Sequence, residues 1–228
     1  MRGKHTRHIY IAFVLVVSLF GLIISTSMLE QPMQPTIEFA GRKIVVGLIY
    51  GFICLGGMFA VFFPGPCSRL VGVRRSGEQH LRGLDARATS IFGVLLLHGH
   101  HPPGDESSTT HELRFRGKSF CASCFGLLTG AIMSLMAIVV FLFSDWADGY
   151  LAHFLYFLGL GGVALGLLPV LLGVGARTRF VLGMIFVTGT CVMLIAMDVA
   201  TADLTADLLV VLLALFWLIS RISLSHRN

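Results

Sequence analysis

Residues 9–27 read IYIAFVLVVSLFGLIISTS, a run with no charge and scarcely a polar side chain. Such a run constrains the fold more than any other feature of the chain. A bilayer's hydrocarbon core is about 30 Å thick and is crossed by a helix of roughly 20 apolar residues. A segment inside it must also satisfy its own backbone hydrogen bonds, which favours helix. Five further runs follow, at 44–63 (closed by Pro64-Gly65-Pro66), 120–143, 153–174, 180–200 and 204–219. They explain why only 13% of the 228 residues are charged, where a soluble domain has about 25%. The expectation is an all-α integral membrane protein, a six-transmembrane-helix bundle. Helices 1 and 2 lie in 1–64, a basic His-rich insert in 65–119, and helices 3 to 6 in 120–228. A basic leader, an apolar run and STS also describe a signal peptide, but the run is long for one, so it is read as a retained span.

Basic residues set the orientation. With the N-terminus inside, the inner segments hold Arg2, Lys4, Arg7, the arginines and Lys118 of the insert, Arg177, Arg179, Arg221 and Arg227, which make 15 of the 17 Lys and Arg. Only Arg42 and Lys43 fall outside, the bias expected of cytoplasmic loops. Both termini are therefore placed in the cytoplasm of a cell-membrane protein. The formal charge of +5 reports this topology and does not indicate a nucleic-acid partner. Anionic lipid headgroups on the inner face are the expected partners of the inner arginines. The acids Glu30, Glu38, Asp145, Asp148, Asp198, Asp203 and Asp207 fall at the outer face. They read most simply as solvated loop charges, with a cation-attracting funnel as the alternative.

Within the insert, IFGVLLL (91–97) is too short to cross a bilayer and is expected as a helix on the inner surface or against the bundle. PPGDESSTT is a polar loop. HELRFRGKSF alternates Leu113 and Phe115 with charges before Gly117, the pattern of a small β-hairpin. In the spans, Gly126 and Gly130, then Gly162 and Gly166, have the spacing that lets helix backbones approach closely, in a packed bundle or a homo-oligomer. Pro169 is expected to kink the fourth span. Cys54 and Cys191 sit in apolar runs and read as small hydrophobes.

Chemistry concentrates in His98, His100, His101, His111, Cys121 and Cys124. Cytosolic thiols are kept reduced, so a Cys-x-x-Cys on the inner side points to a metal clamp or a redox centre. Two cysteines three apart at a helix start can present both thiolates to one ion, and zinc takes thiolate and imidazole tetrahedrally. The helix dipole stabilises thiolates there. The expected set is Cys121, Cys124, His111 and one of His98, His100 or His101. His101 is preferred because the following proline holds it extended. Zinc is the expected metal and iron the alternative. A thiol–disulfide pair with Arg114, Arg116 and Lys118 nearby is a second reading. A surface histidine cluster beside packed cysteines is a third.

The order His-His-Pro, a spaced His, Gly-Lys, then Cys-Ala-x-Cys-x-Gly resembles a group of uncharacterised prokaryotic, largely archaeal, multi-pass membrane proteins. The likeness covers about 98–131. Some members carry a further Cys shortly after His-His-Pro, where this chain reads PPGDE. The resemblance implies that the constellation is one unit and supplies no reaction.

Three function classes follow. The first is a scaffold or membrane-complex subunit with a structural zinc site. The second is a membrane metalloenzyme or thiol-redox protein at the same residues, an open metal position activating water with Glu112 or Asp105 as base. The third is a metal-ion transporter using Asp198 and His153. Ionisable residues deep in the spans, which a conduction path needs, are lacking for the last.

Overall fold

A computed structural model of the chain describes residues 2–30, 41–62, 88–91, 94–97, 112–115, 118–143, 149–171 and 174–225. Six long helices dominate it: α1 Arg2–Glu30, α2 Arg42–Phe62, α3 Ala122–Phe143, α4 Gly149–Leu171, α5 Ala176–Thr201 and α6 Leu204–Ser225. All six are long and apolar enough to cross a membrane. Their outward faces carry Phe13, Val16, Leu19, Phe20, Phe52, Met136, Phe154 and Leu212, each more than half exposed. A soluble monomer does not present so much contiguous apolar surface, and lipid is the solvent that suits it.

Between α2 and α3 the described backbone forms two antiparallel pairs. Strand β1 (Ala88–Ile91) pairs with β2 (Val94–Leu97), and β3 (Glu112–Phe115) with β4 (Lys118–Cys121). The expectation of a helix over 91–97 is corrected. Ile91 and Val94 pair with each other, so the described parts of the run lie in two antiparallel strands. Both residues are β-branched, which favours strand over helix.

Contact pairs fix how the helices run. Gly126, Gly130 and Ser134 on α3 meet Phe180, Met184 and Val187 on α5 in ascending order, so these two helices are parallel. Gly159, Gly162 and Gly166 on α4 meet Met193, Gly189 and Phe186 in descending order, so α4 is antiparallel to α5. Arg42 and Tyr50 on α2 reach Asp198 and Thr190, again antiparallel. One end of the bundle therefore gathers the starts of α1, α3 and α5 with the finishes of α2, α4 and α6. Helix α5 is the hub, burying Phe186, Thr190, Cys191, Met193, Leu194, Ala196, Met197 and Asp198. Peripheral α1 is tied to α6 by Trp217 Nε1 donating to Ser18 Oγ at 2.8 Å, and to α4 by a Ser25–Tyr156 hydroxyl contact. Pro169 lies in the last turn of α4, two residues before Leu171, and withholds the N–H that would bond the Leu165 carbonyl.

Midway through the bundle, three hydroxyls converge on the Val187 carbonyl: Tyr50 at 3.1 Å, Ser134 at 3.2 Å and Thr190 at 2.8 Å. Tyr50 and Thr190 are 2.6 Å apart, and Cys191 Sγ donates to the Ser134 carbonyl at 3.6 Å. Cys191 and Cys54 are both buried, as their apolar surroundings in sequence imply. In hydrocarbon such a seam holds helices together without a hydrophobic driving force. Tyr50→Phe leaves Ser134 and Thr190 on the carbonyl, so its cost is expected to stay at about 0.6–2 kcal/mol. Unfolding of the purified protein in mixed micelles measures it, and collapse of the fold would mean that the seam is not redundant.

Candidate functional site

The two ends of the bundle differ in chemistry. At the Cys124 end, strand β4 finishes at Cys121 and α3 begins at Ala122, so Cys124 occupies the first turn of a long helix. Ala122 is fully buried and Cys124 half-buried. Across the β3–β4 pair Glu112 is the partner of Cys121, so the sequence neighbour of His111 lies opposite the first cysteine. His98, His100, His101 and His111 lie outside the described residues, as do Cys67 and Asp105 and the side chains of Cys121 and Glu112. Among the described residues no group of three His, Cys, Asp or Glu side chains comes together in a way that could hold a metal.

The same end holds a residue that sequence reasoning placed wrongly. Arg221 reads as an inner-loop charge, one of many. In the structure it lies within α6 and is only 3% exposed. Its guanidinium carbon sits 5.1 Å above the Phe186 ring. Nη2 lies 3.4 Å from where a side chain on Gly183 would begin, beside the Gly126 backbone. Both Nη1 and Nη2 are buried without a hydrogen-bond partner among the described residues. Cys124 and Arg179 are close enough to Arg221 to act on it electrostatically. Arg179 itself donates from Nε to the Val174 carbonyl at 2.9 Å. The signal available in sequence was weak: an Arg three residues beyond Leu218, still on the apolar face of the last helix.

At the opposite end, the reading of the outer acids as solvated loop charges is corrected for two of them. Asp198 and Asp207 are 1% and 0% exposed. Arg42 Nη1 lies 2.9 Å from Asp198 Oδ1 and 3.5 Å from Asp207 Oδ2, and it donates to the Asp198 carbonyl at 3.3 Å. The turn between α5 and α6 creates this arrangement. Ala202 adopts the left-handed conformation (φ 52°, ψ 25°) and its N–H returns to the Asp198 carbonyl. Asp203 Oδ1 then caps α6 by accepting from the Thr205 N–H at 2.9 Å. With only two residues in the turn, Asp198 in the last turn of α5 faces Asp207 in the first turn of α6. Arg42, at the start of α2, closes both. Lys43 lies over the Phe141 ring at 5.4 Å. His153 is exposed in the first turn of α4. These ionic groups bind three helices into one end of the bundle.

Fold and composition together define a multi-pass membrane protein with a basic, cysteine-bearing end and an acidic, ion-paired end. No family model, curated protein or solved structure matches the chain.

Proposed function

We propose that this membrane protein is a scaffold or complex subunit whose segment between α2 and α3 holds one structural zinc on the cytoplasmic side. The ligands are Cys121, Cys124, His111 and one of His98, His100 or His101, with His101 preferred. The observation that carries the reading is the β3–β4 register. It sets Glu112 against Cys121, and Cys121 leads directly into the helix turn that bears Cys124. Cys121 and the residue that follows His111 in the chain are thus register partners, which supports a ligand set drawn from both strands. Thiolates at the start of α3 also gain from the positive end of its dipole. The arginine bias of that end supports a cytoplasmic location for it and for both termini.

Elemental analysis of the purified protein tests the site. About one zinc per chain is expected for a structural site, lost in Cys121→Ser/Cys124→Ser. Iron in that ratio would move the reading to electron transfer. Protein prepared without chelator and found metal-free would sink it.

A further inference from the structure

We infer that Arg221 is the anchor of a binding site for a single phosphate group at the Cys124 end of the bundle, a lipid headgroup phosphate or a free phosphate ion. The inference does not rest on the metal reading.

Three independent features point to it. The first is the guanidinium itself, buried and with no hydrogen-bond partner for Nη1 or Nη2 among the described residues. Buried donors without an acceptor are costly, and stacking on Phe186 covers only the face of the fork. A planar fork with two parallel donors matches a phosphate or carboxylate edge.

The second is the backbone around it. Helices α3 and α5 run parallel, and both begin at this end, at Ala122 and Ala176. Glycines at their crossing bring the backbones together: Gly126 Cα lies 3.4 Å from the Cβ position of Gly183, the same point that Arg221 Nη2 approaches. Two long helices thus turn the positive ends of their dipoles toward the same end of the bundle, about one turn of α3 and two turns of α5 from the guanidinium, an end that favours anions.

The third is the distribution of charge. Among the side chains described, every acid (Glu30, Asp198, Asp203 and Asp207) belongs to the Arg42 end. The Cys124 end has Arg177, Arg179 and Arg221, with Arg179 near enough to act on Arg221. No carboxylate among the described side chains lies at this end. Arg221 also ends the apolar span of α6, the depth at which lipid phosphates lie. Phosphate is favoured over carboxylate because this end carries further cationic donors, Arg177 and Arg179, to share its additional oxygens.

The test uses the full-length protein in a maltoside detergent free of phosphate, and reads thermal unfolding. Wild type, Arg221→Met and Arg221→Lys are titrated with inorganic phosphate and, separately, with a short-chain phosphatidylglycerol. Phosphatidylcholine serves as the zwitterionic control. Wild type is expected to gain roughly 5–10 °C at a hundredfold excess over Kd from at least one anionic probe. Arg221→Met, which replaces a buried charge with an apolar chain, is expected to fold and to show no gain. Arg221→Lys keeps the charge but loses the fork, and its gain should fall by more than half. A response to inorganic phosphate identifies the free ion as sufficient, while a response to phosphatidylglycerol alone assigns the site to lipid. Cys124→Ser retains the response, which separates this site from the metal. No shift with either anion, or an equal shift in Arg221→Met, overturns the inference.

Discussion

Arg42→Met is expected to destabilise the bundle by about 3–5 kcal/mol, the cost of removing one partner from a buried charge cluster. The reason is asymmetric. Arg42 is the guanidinium in contact with both Asp198 and Asp207, which are buried far more completely than it is. Removing it leaves two carboxylates facing each other in a region where water cannot replace the lost donor. It also frees the Asp198 carbonyl, which Arg42 shares with the left-handed cap at Ala202. Asp207→Asn should behave oppositely. It leaves a one-to-one pair between Arg42 and Asp198 and removes carboxylate repulsion, so the variant is expected at wild-type stability or above. Midpoints of thermal aggregation followed by size exclusion would separate the two. Equal losses in both variants would show that the acids are held by something other than this guanidinium.

The second large effect lies at the contact of α4 with α5. A Cβ added to Gly159 would lie 2.6 Å from the Gly189 carbonyl and 2.7 Å from the Met193 nitrogen. One added to Gly189 would lie 2.8 Å from the Gly159 carbonyl. The obstacle in each case is backbone, which cannot turn aside as a side chain does. Either alanine substitution must push the helices apart, at a cost of about 1–3 kcal/mol or more. Separation also weakens the dispersion contacts along the whole seam, in a medium that offers no hydrophobic compensation. Gly161→Ala is the control on the same helix, since a Cβ there meets nothing within 4 Å. It is expected to be neutral or slightly stabilising, because alanine is the better helix former. If Gly161→Ala and Gly159→Ala lower stability alike, the loss is a backbone effect and not a packing one.

The six helices were legible because hydropathy acts on stretches of about 20 residues and needs no knowledge of neighbours. The GxxxG pairs marked two of the close approaches. The reciprocal backbone contact of Gly159 with Gly189 belongs to no such pair on α5, since Gly183 and Gly189 are six apart. Spacing within one helix cannot show which face another helix will meet. The region 91–97 was misread because a short apolar run has no length from which to distinguish helix from a strand turning back. Asp198, Asp207 and Arg221 were misread for a related reason: near a helix end, sequence does not say whether a charge faces water or a neighbour.

The sequence by itself determined that this chain enters a membrane six times, and it gathered the cysteines and histidines into one segment of the insert. Both are local properties, decided by apolar length and residue order. Only the tertiary structure decided that α5 is the hub, that Arg42 closes on two acids from the far end of the chain, and that Arg221 is buried with no hydrogen-bond partner for its Nη groups among the described residues. Those outcomes depend on which helix faces meet. That is set by backbone approach at glycines and by the two-residue turn at Ala202 and Asp203, and neither leaves a periodic trace in the residues it brings together.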